Sequence, residues 1–202
     1  MTKMGAEKMA GIQSLCVFCG SKSGANAAYE AESRRLGTLM AERGVRLVYG
    51  GGRIGLMGAI ADAVADGGGD VVGVIPEFLL HLEVGNDQAG ELIVTDTMHT
   101  RKAKMFELSD AAVVLPGGIG TMDETIEVMT WKQLRQHDKP IVVMNVDGYW
   151  DSFVGLIESI IEGGFAHPKI RDLISVVDGA DDVFYALANA PEPDHEVLTS
   201  HL

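Results

Sequence analysis

Basic residues are scarce in this chain: 16 Lys and Arg stand against 29 Asp and Glu over 202 residues, a formal net charge of −13. A surface of that sign repels a polyphosphate backbone, whose binding draws on several Lys and Arg contacts, so no nucleic-acid partner is expected. Whatever anion the protein binds must be held by local backbone dipoles and a few chosen cations, which suits a small anionic metabolite. Long apolar runs are missing too. No stretch approaches the roughly 20 residues of a membrane span, and Met1 to Gly11 has no apolar core of signal-peptide length. No membrane association and a cytoplasmic location are the expectation. Cysteine is limited to Cys16 and Cys19. A C-x-x-C pair can be a redox couple or half a metal site, but this one lies on an apolar, strand-like run and no second ligand pair follows. Strand positions three apart face opposite sides, so two separate buried thiols and no metal are expected, which suits a reducing compartment. Internal repeats and low-complexity tracts are also lacking.

What the chain does have is 47% hydrophobic content, enough for one substantial core. Apolar runs at Ser14–Cys19, Val45–Tyr49, Val71–Ile75, Glu91–Thr95, Ala111–Leu115, Ile141–Met144 and Ile174–Val177 read as strands. Helical spacing marks Asn26–Arg43, Leu56–Ala65, Met98–Leu108, a long segment from the Pro116 turn to about His137, Trp150–Glu162 and Asp181–Ala188. The stretch from Pro76 to Gly90 reads as loop. Alternation of this kind predicts one α/β domain over residues 13–189, flanked by tails at 1–12 and 190–202. Its architecture is a Rossmann-like, doubly wound parallel sheet with helices on both faces.

Ligands of such sheets lie beyond the carboxyl ends of the strands, and three strand exits here are glycine-rich: Gly20–Gly24, Gly50–Gly55 and Pro116–Thr121. Glycine lets backbone approach a phosphate, and the N–H groups and dipole of a following helix attract its charge. Gly51 and Gly52 of the second loop are expected against the ligand. No loop carries the lysine of a P-loop, which disfavours nucleoside triphosphate hydrolysis.

Three motifs in order then complete a pattern: Val48-Tyr49-Gly50-Gly51-Gly52-Arg53-Ile54-Gly55-Leu56-Met57-Gly58, Met98-His99-Thr100-Arg101-Lys102, and Pro116-Gly117-Gly118-Ile119-Gly120-Thr121-Met122-Asp123-Glu124. With these motifs, and with Thr130-Trp131-Lys132-Gln133-Leu134 as further support, the chain resembles the Lonely guy (LOG) family from about Leu15 to Leu187. These are cytokinin riboside 5′-monophosphate phosphoribohydrolases, often labelled lysine decarboxylases. The decarboxylase label is not adopted, because no lysine has the supporting motif of pyridoxal phosphate chemistry, and no cofactor is expected. The resemblance implies hydrolysis of the N-glycosidic bond of AMP or of N6-substituted relatives, with Arg101 and Glu124 as the catalytic pair. A carboxylate beside the ribose stabilises an oxocarbenium-like sugar or positions water, whereas a permanently charged guanidinium orients.

The same resemblance places Gly117, Gly118, Gly120 and Thr121 on the phosphate, with Ser21 on a neighbouring loop. It has Glu83, Met98, Lys102, Asp123 and Thr130 lining the rest of the pocket; Asp123 stands where many relatives carry glutamate. It also implies a homodimer, for which the segment Asp123–His137 offers an apolar face. The alternative from another functional class is a nucleotide or cofactor carrier that binds without turnover, like the molybdenum-cofactor carrier proteins, which resemble this fold and its glycine loops.

Overall fold

The structure is a computed structural model and describes residues 11–80 and 89–191; the expected tails fall largely outside them, and Glu83 does so entirely. Seven strands form one sheet: β1 (Ser14–Phe18), β2 (Arg46–Tyr49), β3 (Val71–Pro76), β4 (Glu91–Thr95), β5 (Ala111–Val114), β6 (Ile141–Met144) and β7 (Ser175–Val177). Their order is β4-β3-β2-β1-β5-β6-β7 and every neighbouring pair is parallel. The chain therefore winds outward from β1 in one direction, returns across the sheet, and winds outward again from β5. The reversal opens a crevice between β1 and β5, where such sheets bind ligands.

Right-handed crossovers assign the helices to two faces. On one face α1 (Ala27–Glu42), α2 (Gly55–Asp66) and the last helix, α7 (Ala180–Ala188), pack their apolar stripes on Leu15, Val17, Leu47, Tyr49 and Val113. On the other, α4 (Met98–Glu107), α5 (Ile119–Gln133) and α6 (Asp151–Glu162) cover Cys16, Phe18, Val48, Ala112 and Val114. Alternate residues of each central strand thus serve opposite cores, which is why β1 and β5 read as unbroken apolar runs. Cys16 and Cys19 follow the same rule: both are free and buried, and they join different cores. Burial, reinforced by the nearby Glu124 charge, pushes both thiols far above the usual cysteine range and so disfavours the thiolate.

Most expected elements lie within a residue of their bounds, although β3 runs on through Pro76, which pairs with Thr95 instead of opening the loop; two regions differ further. The loop after β3 begins with a single helical turn, α3 (Glu77–Leu80). Helix α5 stops at Gln133, short of the expected His137. Arg135 takes φ 56°, Gln136 N–H bonds Trp131 O and Arg135 N–H bonds Lys132 O. That is the double hydrogen bond of a left-handed helix cap, a position usually held by glycine. An arginine performs it here, so the sequence carries no stop signal.

Candidate active site

Three strand exits are tied together above the crevice. Gly20 N–H bonds Pro116 O at 3.0 Å, Leu56 N–H bonds Gly20 O at 3.1 Å, and Leu115 N–H bonds Phe18 O at 2.9 Å. The exits of β1, β2 and β5 are held as one assembly, as the glycine pattern predicts. Beside them lies a cleft of about 380 Å3, lined by Ser21, Lys22 and Ser23 on one side, by Gly117 and Gly118 on the other, and by Tyr29 and Tyr149.

Helix α5 starts in this cleft. Its N-cap, Gly118, is extended (φ −95°, ψ −156°), and no side chain caps it. The first-turn N–H groups of a helix lack intrahelical partners and carry the positive end of its dipole, which makes this end an anion seat. A Cβ built on Gly118 or Gly120 would meet nothing within 4 Å. Packing within the protein therefore does not require glycine at either position, and the bare backbone leaves the helix end accessible. Gly117 is different: a Cβ there would lie 2.1 Å from Thr121 Oγ1, so the buried threonine hydroxyl sits against the loop backbone.

Further along α5 lies Glu124, only 8% exposed, and Arg101 of α4, 6% exposed, meets it with Nη1 at 3.1 Å from Oε1. The guanidinium is anchored on three sides. Its Nε donates to Val74 O at 3.0 Å, Nη2 to Gly50 O at 3.3 Å, and Nη1 also approaches Met98 Sδ at 4.0 Å. A planar fork of donors suits this set; a lysine ammonium would not span it. Residues 23 apart in sequence become one buried ion pair because Gly50, just past β2, and Val74, within β3, supply carbonyls that hold the arginine under α5.

Gly50 reports on that arrangement. A Cβ on it would lie 2.1 Å from Arg101 Nη2. The obstacles are the ends of two side chains, this one and Met57 with Sδ at 2.9 Å, rather than backbone, so Gly50→Ala should fold while displacing the guanidinium. The expected outcome is a loss of turnover of roughly 10²-fold or more, the scale of misplacing a catalytic group. Thermal melting alongside steady-state rates checks it, with the midpoint falling far less than the rate.

The remaining expected site residues are distributed unevenly. Lys102 Nζ meets Asp123 Oδ2 at 2.9 Å and Glu127 Oε2 at 3.0 Å, an ion-pair cluster joining α4 to α5. Burial alone pulls the Lys102 pKa down, but the two carboxylates outweigh it and leave the ammonium group above its usual range. Glu127 was not anticipated; it stands one turn beyond Asp123 on the same helix face. Gly51 has φ 76°, and a Cβ there would press on Ile75 and Leu92 at 3.1 Å, so its backbone packs on β3 and β4. Gly52 is buried beside it. Ser21 lines the cleft. Thr130 stands apart: it follows Ile119 by eleven residues, about 16 Å along a helix axis. Its hydroxyl donates to Ile126 O at 2.8 Å, and it lines a second, apolar groove with Ile126, Met129, Leu156 and Phe165. This chain alone does not bring Thr130 to the phosphate loop. Tyr29 and Tyr149 line the cleft without having been anticipated, since neither belongs to a glycine loop or a charged motif.

Known proteins resemble this chain in sequence and in fold. A family model described as "possible lysine decarboxylase" matches residues 57–187. The chain is 45% identical over 188 residues to a probable cytokinin riboside 5′-monophosphate phosphoribohydrolase of Oryza sativa subsp. japonica, covering 93% of this chain and 76% of that protein. It is 44% identical over 186 residues to a cytokinin riboside 5′-monophosphate phosphoribohydrolase of Arabidopsis thaliana, covering 92% and 87%. Among solved structures, the molybdenum cofactor binding protein of Rippkaea orientalis superposes with a TM-score of 0.67 at 18% identity, over 88% of this chain and 96% of that one. The molybdenum-cofactor carrier protein of Chlamydomonas gives 0.64 at 19%, over 89% and 97%. At such identities the likeness to the carriers is one of fold alone. By the extent of its similarity to the plant proteins, this chain belongs to the Lonely guy family of cytokinin riboside 5′-monophosphate phosphoribohydrolases.

Proposed function

We propose that this chain hydrolyses the N-glycosidic bond of nucleoside 5′-monophosphates, AMP or N6-substituted cytokinin riboside monophosphates, to free base and ribose 5-phosphate. The observation that carries the reading is the buried Arg101–Glu124 pair, whose carboxylate stands on the same helix as the phosphate seat while its guanidinium comes from α4. Glu124 is five residues beyond Ile119, about 7–8 Å along the axis at the helical rise. A ribose fits between a phosphate on the first turn and a carboxylate at that depth.

The chemistry follows from charge. The C1′–N bond breaks with its electron pair going to the base, and the sugar becomes oxocarbenium-like. Water oxygen bonds C1′, one of its protons is lost, and the base takes up a proton. Glu124 stabilises the developing positive charge and orients or deprotonates the water, in a site where burial strengthens the interaction. Arg101, fixed on Gly50 O and Val74 O, holds the carboxylate in place. Gly118, Gly120 and Thr121, with Ser21 and Lys22 across the cleft, hold the phosphate, and Met98 stands beside the ion pair. Lys102 and Asp123 border the pocket as a linked pair. A carrier that only binds nucleotide need not possess a buried carboxylate–guanidinium pair beside its phosphate loop.

The functional unit in this reading is a homodimer. Ile126, Leu156, Ile160 and Phe165 are exposed along α5, α6 and the turn after α6, an apolar strip that a second copy would cover. Thr130 lies on that strip, so its place in a pocket would be as the contribution of the partner. Free, buried thiols accord with a cytoplasmic protein. Among the described residues no helix is long and apolar enough to cross a membrane.

Incubating the purified protein with AMP and with isopentenyladenosine monophosphate, and following base chromatographically, tests the reading. Release of base with stoichiometric ribose 5-phosphate is expected. Tight binding of both nucleotides with no release would favour a carrier instead.

A further inference from the structure

We propose that Tyr149 is a positioning residue of the phosphate seat, acting by locking the peptide between Gly117 and Gly118 in its anion-binding orientation. The inference rests on the phosphate site proposed above and adds a residue from a different strand exit. Tyr149 follows β6, and its hydroxyl donates to Gly117 O at 2.5 Å. In a trans peptide the C=O and N–H lie antiparallel in one plane, so holding Gly117 O on one side holds Gly118 N–H on the other. That N–H is the one at the N-cap of α5.

The bond matters because both flanking residues are glycines. Turning this peptide over changes only ψ of Gly117 and φ of Gly118, and glycine tolerates either sign of both. The flipped form would present a carbonyl oxygen, the negative end of the peptide dipole, where the site needs an N–H. Gly118 O is already held by Met122 N–H at 3.1 Å, so Tyr149 supplies the other restraint on the cap.

The tyrosine is itself braced. Its ring makes edge contacts with Tyr29 at 5.2 Å and Trp150 at 4.8 Å. The loop that delivers it turns through left-handed backbone at Asp147 (φ 51°) and Gly148 (φ 74°). Asn26, the N-cap of α1, ties that turn down by donating Nδ2–H to Asp147 Oδ2 at 2.7 Å. Charge plays no part in Gly117–Tyr149 recognition, so the lock is independent of the Arg101–Glu124 pair.

Tyr149→Phe keeps the ring contacts and removes only the hydroxyl. The calorimetric dissociation constant for ribose 5-phosphate and KM for AMP should each rise about 5- to 10-fold, the fold-change matching a typical net hydrogen bond. The kcat value should stay within roughly twofold, as expected when ground state and transition state lose the same contact. Inhibition by adenine, which carries no phosphate, should not change. Unaltered ribose 5-phosphate affinity and KM for AMP would overturn the proposal, and so would an equal weakening of adenine, which marks general loosening. Ribose 5-phosphate binding is read without turnover. A wild-type protein that fails to release base from AMP therefore counts against the hydrolysis and leaves this test intact.

Discussion

Glu124→Gln should lower kcat for base release from AMP by roughly 10²- to 10⁴-fold, the range associated with losing a positioned carboxylate in acid–base or charge-stabilising roles. Glutamine is nearly isosteric and can still accept a hydrogen bond from Arg101 through its remaining oxygen, but it lacks the negative charge. Because the charge matters most when the sugar turns positive, KM for AMP should change little while kcat and kcat/KM fall together. Single-turnover base release at saturating AMP, set beside AMP affinity from calorimetry, separates the two effects. A variant that keeps kcat within a few-fold would show that the carboxylate is a structural partner of Arg101 and has no part in bond breaking.

Removing the arginine should be more damaging, because two functions are lost at once. Arg101→Ala leaves the Glu124 carboxylate buried without its guanidinium and takes the side-chain donors from Val74 O and Gly50 O. Breaking a buried ion pair from one side costs about 3–5 kcal/mol, which for a chain of this size is roughly 6–20 °C of melting temperature. Activity should vanish with it, as the carboxylate is no longer oriented. The sharper test is the double variant. With Glu124→Gln also present the stranded charge is gone, so the double variant should melt above Arg101→Ala alone, a coupling of the sign expected for residues in direct contact. Additive losses would mean that the pair does not interact in solution as the geometry indicates.

Much of the fold is legible in the sequence because parallel strands covered on both faces must be largely apolar, and β3, β5 and β6 are, as are β1 after Ser14 and β2 after Arg46. The glycine loops were legible for the same reason of position: each follows a strand. The end of α5 was not, because Arg135 adopts the left-handed cap that normally announces itself as glycine. In the site, motif resemblance pointed to Arg101 and Glu124 together, yet nothing in their spacing says what holds the arginine. Its anchors are the carbonyls of Gly50 and Val74, and a backbone acceptor has no side-chain signature. Tyr149 carries no sequence signal of its role, because it reaches Gly117 from 32 residues away, from the loop that follows β6. The distance of Thr130 from the phosphate loop follows from helical rise, but which copy of the chain it serves depends on a surface that pattern alone does not pair.

The account stands on where a nucleotide sits, and a crystal structure of Glu124→Gln with AMP bound tests this most directly. It should show phosphate oxygens within about 3 Å of backbone amides between Gly118 and Thr121, with C1′ facing the side chain at position 124. Phosphate bound away from the start of α5, or a ribose turned so that C1′ faces solvent, would contradict it.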